Sequence, residues 1–170
     1  MKLWKNKAVY HPLTATPFKS NPVYTELAPS SELSSYVRCY WGTAASLVQE
    51  ADDNAPQIVI PDTCVDIIYY IDHTDHTVSG GFCGINDRSF IVPGSTHAGH
   101  AVETFAIRFY AWSAYAFAED SLKATMNGYF EAAFLFAWLD RMLRPSLLEW
   151  KTLQERAFLA ERLLRKNLSG

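Results

Sequence analysis

No stretch of this sequence stays apolar for the roughly 20 residues that a bilayer-crossing helix requires. The N-terminal "MKLWKNKAVYHPL" carries positive charge but no apolar core after it, which excludes a secretory signal of the usual kind. The expectation is a cytoplasmic protein with no membrane partner. Cysteine is scarce: Cys39, Cys64 and Cys83 are odd in number and widely spaced, with no C-x-x-C pair. That pattern fits reduced thiols and argues against a disulfide framework or a zinc knuckle. Missing too are a G-x-S-x-G elbow, a P-loop and a G-x-G-x-x-G after a strand, and no cysteine has a placed histidine partner. Nothing here compels an enzyme, a cofactor or a metal.

What is present is apolar and aromatic. A chain of 170 residues, 49% hydrophobic and 14% aromatic, can bury one core but is short for two full domains, so one globular unit is expected. The net charge of −3 argues against a nucleic-acid footprint over the whole molecule. From Arg141 onward seven Lys or Arg face three Glu, which leaves an acidic body and a basic tail.

The chain changes character once. Up to Tyr110 it reads as short strands, "SYVRCYWG", "QIVIP", "VDIIYYID", "HTVSGGF", "RSFIV" and "AVETFAIRFY", separated by Pro, Gly, Asn and Asp. Such spacing suggests a small antiparallel barrel or sandwich. Beyond Ala111 the composition turns helical, giving an α+β class with a strand portion over 1–110 and a helical portion over 111–170. Ser146 and Glu149 predict a capping box opening the last helix, whose stripe is Trp150, Leu153, Ala157, Ala160 and Leu164. That stripe docks on the protein's own strands or pairs with a second copy. "YFEAAFLFAWL" is apolar nearly all round and is expected to be a helix buried on more than one side.

Three clusters hold potential chemistry. In "IVIPDTCVDIIYYID" Pro61 and Asp62 read as a turn, while Asp66 shares a strand face with Ile68 and Tyr70. Arg108 is its expected countercharge, either as a salt bridge between strands or as a polar anchor in an aromatic-lined pocket. Trp41, Tyr40, Tyr69 or Tyr70, and Phe109 are the candidate aromatics for such a cavity. "GSTHAGHAVE" sets His97, His100 and Glu103 three apart, so a regular strand would not converge them on a metal unless Gly99 made a bulge. "IDHTDHT" reads as a polar hairpin turn. The glycines of "SGGFCGIND" suggest a turn or a tight barrel corner.

The order of "SSELSSYVRCYWG", "IVIPDTCVDIIYYI", "GFCGI" and "IVPGSTHAGHAVETFAIRFYAWSAYAFAED" resembles the N-terminal sensory domain of one group of AraC-type transcriptional regulators, over roughly residues 22 to 165. It departs from that pattern at Thr63 and at Ala111, Trp112 and Ser113. The resemblance implies a small antiparallel cupin-like β-barrel followed by C-terminal helices. It implies a sensor of a small-molecule effector that dimerises; the strand faces make Trp41, Asp66, Tyr70 and Arg108 the expected ligand-binding residues, and the apolar helical stripe makes Trp150, Leu153, Ala157 and Leu164 the expected homodimer contact. DNA would be reached only through a C-terminal helix-turn-helix domain that this sequence does not contain. The alternative is a metal-dependent cupin-like enzyme using His97, His100 and Glu103.

Overall fold

The computed structural model describes residues 24–47, 57–92 and 99–169. Its strands are β1 (Tyr24–Leu27), β2 (Val37–Leu47), β3 (Gln57–Val59), β4 (Cys64–Asp72), β5 (Thr77–Cys83), β6 (Phe90–Val92), β7 (Ala101–Tyr110) and β8 (Tyr129–Glu131). The helices are α1 (Ala132–Leu135), α2 (Ala137–Leu143) and α3 (Leu153–Leu168). Six strands pair in the order β1-β2-β7-β4-β5-β8, every neighbour antiparallel, and β3 with β6 forms a separate two-stranded ribbon. The molecule is therefore α+β, a mostly antiparallel sheet with helices at the C-terminal end.

Side-chain alternation decides which face is core. In β4, Val65, Ile67, Tyr69 and Ile71 are buried against the helices, while Asp66, Ile68 and Tyr70 point to the opposite face. β7 repeats this with Phe105, Ile107 and Phe109. Phe136, between α1 and α2, packs at 5.1 Å from Phe82 and 6.3 Å from Phe109. Ala157, Ala160, Leu163 and Leu164 of α3 complete this core. Burying side chains of this size contributes about 1.5–3 kcal/mol each for the larger ones.

Polar contacts fix α3 on the sheet. Arg156 ion-pairs with Glu103 of β7 and donates from Nε to the Leu147 carbonyl at 3.2 Å. Glu161 accepts the Ser30 N–H at 2.6 Å, and Arg165 reaches Glu32 at 3.4 Å.

Two sequence expectations about helices change. The capping box is Thr152 with Glu155, and Ser146 lies in a single 3-10 turn over Arg144–Ser146. One further turn follows, the Ser146 carbonyl accepting the Glu149 and Trp150 N–H groups at 3.1 and 3.0 Å, and it ends where Arg156 occupies the Leu147 carbonyl and the Lys151 N–H goes to Glu155 Oε2 at 3.1 Å. "YFEAAFLFAWL" is likewise not one helix. Tyr129–Glu131 pairs with β5 as β8, and Phe136, with φ −133° and ψ 46°, separates α1 from α2. Within the chain this segment is buried on one side only, with Phe134 73% exposed on the other.

Candidate functional site

The face opposite the helices is organised in rungs across the strands. One rung runs Cys39 (β2), Arg108 (β7), Asp66 (β4), Cys83 (β5) and Tyr129 (β8), each directly opposite the next. The adjacent same-face rung runs Glu26, Trp41, Ala106, Ile68, Gly81 and Glu131. The next contains Thr43, Thr104, Tyr70 and Ser79. Gly81 is small enough for the Tyr129 side chain of the neighbouring rung to lie over it.

Trp41, Asp66, Tyr70 and Arg108 all fall on this face. Asp66, 8% exposed, accepts three bonds: from Trp41 Nε1 at 2.8 Å, from Arg108 Nε at 2.9 Å and from Arg108 Nη2 at 3.2 Å. The guanidinium carbon of Arg108 lies 5.9 Å from the centre of the Trp41 ring, and Tyr24 packs on that indole at 5.6 Å. Burial opposes the charge on Arg108, and the Asp66 carboxylate more than offsets it, so its pKa is raised. The salt bridge anticipated between strands is therefore formed, with an indole added. Tyr70 stands farther along β4, 40% exposed, sharing a hydrogen bond with Tyr129. Tyr40, Tyr69 and Phe109 face the helices instead and line no part of this face, because they occupy the alternate positions of their strands.

A cleft opens beside the Asp66–Arg108 pair. It holds about 40 Å³ and is walled by Pro61, Asp62, Asp66, Cys83, Asn86 and Arg108 among others. A second cavity of about 220 Å³ has Cys83 and Asn86 in its wall too, with Arg88, Phe90, Asn127 and Tyr129. Asp62 caps the turn that the sequence suggested, accepting the Cys64 N–H at 2.9 Å, and its other oxygen stands 3.9 Å from Arg108 Nη1. Burial pushes the Cys39 and Cys64 thiols up to about 12 and raises Cys83 as well. A thiol held protonated is a poor nucleophile and a poor metal ligand.

The family model described as a domain of unknown function, DUF6597, matches residues 25–131. The chain belongs to the DUF6597 family. No curated protein and no solved structure matches it. The DUF6597 match runs from the second residue of β1 to the last of β8, so Trp41, Asp66, Cys83, Arg108 and Tyr129 all lie inside it and α1 to α3 lie beyond it.

The residues considered for a metal go separate ways. His97 lies outside the described residues. His100 Nδ1 lies 2.7 Å from Asp72 Oδ2 and 3.8 Å from Asp75. Glu103 turns to the helix side, where it meets Arg156 and lies 3.3 Å from His73 Nε2. Although Asp72, Asp75 and His100 are close enough to share an ion, Asp72 Oδ1 already accepts the Thr74 and Asp75 N–H groups, as a polar hairpin turn requires. No helix of the described chain is long and apolar enough to cross a membrane.

Sequence reasoning missed Cys83, Asn86 and Tyr129 as walls of the two cavities. Tyr129 stands in a segment that reads as helix, and no periodic signal marks a three-residue strand.

Proposed function

We propose that this chain is the ligand-sensing and dimerising module of a transcriptional regulator, with its sheet acting as part of a cupin-like barrel. The supporting observation is the recessed Trp41–Asp66–Arg108 constellation beside a cleft, on the face that the helices leave uncovered. A desolvated polar group among aromatic walls is the usual composition of a small-molecule site. The ordered resemblance to AraC-type sensory domains supplies the regulatory context. The module is a binder rather than an enzyme: its carboxylate is held by two partners and two of its thiols stay protonated. β7 carries Arg108 on the cleft face and Glu103, paired to α3, on the other, which offers a short route from an effector to the helices. Ala157 and Leu164 face the sheet, so a dimer contact near α3 would rest on the half-buried Trp150 and Leu153.

The test screens small molecules against the purified protein by thermal melting. Effectors should raise the melting temperature of wild type, and Trp41→Phe or Arg108→Met should abolish the rise. Light scattering should report a dimer at about tens of micromolar. No compound class stabilising the protein, or sequence-selective and salt-resistant binding of duplex DNA by this chain alone, would overturn the proposal.

A further inference from the structure

We propose that the cavity of about 220 Å³ walled by Asn86, Phe90, Asn127 and Tyr129 is a ligand site of its own, built for a neutral planar lactam, a flat ring system with an N–H beside a C=O. Such a site goes beyond the sensing function proposed above, since it needs no contact with Asp66 or Arg108.

Two loops make the walls and hold each other in place. The Asn127 N–H donates to the Ile85 carbonyl at 2.8 Å, the Gly84 N–H to the Gly128 carbonyl at 3.0 Å and the Asp87 N–H to Asn127 Oδ1 at 3.1 Å. Asn127 has φ 55°, a left-handed conformation that asparagine tolerates better than most residues. These bonds form the wall before any ligand arrives, which lowers the ordering cost of binding.

Each asparagine spends one half of its amide on the protein, and the two spend opposite halves. Asn86 donates its NH₂ group to the Gly84 carbonyl at 3.0 Å and to Cys83 Sγ at 3.6 Å. Gly84 walls only the smaller cleft, so the Asn86 carbonyl is the half left for this cavity. Asn127 accepts the Asp87 N–H, and Asp87 walls neither cavity, which leaves the Asn127 NH₂ group. Among the described residues neither remaining half has a hydrogen-bond partner. The cavity therefore offers one acceptor and one donor, and a lactam edge answers them with its N–H and its C=O.

Charge does not select this ligand. No carboxylate stands in the wall, and Arg88, its charged member, is 77% exposed and lies 4.0 Å from Asp87, where a surface pair gains little. Rings supply the rest of the wall: Phe90 contributes one, and Tyr129 contributes another while its hydroxyl is engaged with Tyr70. An apolar cavity of about 150 Å³ takes up benzene, so about 220 Å³ admits a fused pair of rings.

The experiment titrates the purified protein with 2-quinolone and N-methyl-2-quinolone, which share both rings and the carbonyl and differ in the N–H. Binding is followed by calorimetry and by the side-chain amide NMR signals of Asn86 and Asn127. 2-Quinolone should shift both signals and bind at least about tenfold more tightly than its N-methyl analogue, which leaves the Asn86 carbonyl unpaired. Asn127→Asp keeps an oxygen for the Asp87 N–H and a residue tolerant of positive φ, but it replaces the donor with an acceptor. It should weaken 2-quinolone by about tenfold at an unchanged melting temperature. Where Asn127→Asp melts lower than wild type, the ratio between the two compounds in wild type decides alone. Trp41→Phe should leave 2-quinolone binding unchanged. Equal affinity for the two compounds, no shift at either amide, or undiminished affinity in a stably folded Asn127→Asp would overturn the lactam site and leave the sensing function standing. Loss of 2-quinolone binding in Trp41→Phe would put the ligand in the Asp66–Arg108 cleft, overturning the separate site and supporting the sensing function.

Discussion

The ring of Tyr129 on β8 lies directly over Gly81 of β5, so close that a β-carbon on Gly81 would overlap the Tyr129 hydroxyl and its ring carbon. The paired glycines of "SGGFCGIND" are therefore neither a turn nor a corner. They sit inside β5 because large rings cross it, Tyr129 over Gly81 and Tyr69 against Gly80. Gly81→Ala should displace Tyr129 and destabilise the protein by about 1–3 kcal/mol, as overpacking does. A urea midpoint identical to wild type would contradict this close packing, and adding Tyr129→Ala should recover part of the loss.

Arg108→Met should cost more than either partner's area suggests. It would leave Asp66, 8% exposed, with only the Trp41 N–H to stabilise its charge. Stranding one member of a buried pair costs about 3–5 kcal/mol, whereas replacing both with apolar groups can be nearly neutral. Asp66→Leu combined with Arg108→Met should accordingly be more stable than Arg108→Met alone in guanidinium unfolding.

The β4–β5 turn should make stability depend on pH with a fixed sign. The hydrogen bond to Asp72 raises the His100 pKa above its ordinary 6.5, and the same bond, with the Asp75 and Thr74 N–H groups, lowers the Asp72 pKa below 3.8. Stabilisation from His100 is complete below 6.5 and is lost as pH rises through the raised value. Stabilisation from Asp72 is present above 3.8 and is lost as pH falls through the lowered one. His100→Gln should therefore be less stable than wild type in mildly acidic urea titrations. The gap should narrow toward about pH 9, and a gap that widens there would contradict the pairing.

At the start of α3 the cap can be read by substitution. Thr152→Ala removes the oxygen that accepts the Glu155 N–H at 3.2 Å and should cost about 1 kcal/mol. Ser146→Ala should change stability by less than about 0.5 kcal/mol, because no cap depends on that side chain. Equal effects at the two positions, measured by thermal unfolding, would refute the assignment of the cap to Thr152.

Much of the sheet is legible in the sequence because strand alternation is a local property. "VDIIYYID" and "AVETFAIRFY" announce β4 and β7, and the alternation that puts Asp66 and Arg108 on polar-facing positions holds in the structure. "IDHTDHT" announces its turn because Asp72 bonds to backbone only two and three residues away. The cap expected at Ser146 fails for a related reason. Its local pattern is as good as that of Thr152, and the choice between them is made by Arg156, nine residues after Leu147, taking the Leu147 carbonyl.

The sequence by itself determined the α+β class, the faces of the long strands and the polar turn between β4 and β5, since each depends on neighbours within a few residues. Only the tertiary structure decided that Glu103 turns to the helix side and pairs with Arg156. It also decided that Tyr129 leaves a helical-looking segment to pair with β5, and that Asp66, Cys83 and Arg108 meet around one cleft with Trp41 hydrogen-bonded to Asp66 behind them. Those four residues come from four strands and meet through register, which is set by packing across the sheet and leaves no periodic trace in the chain.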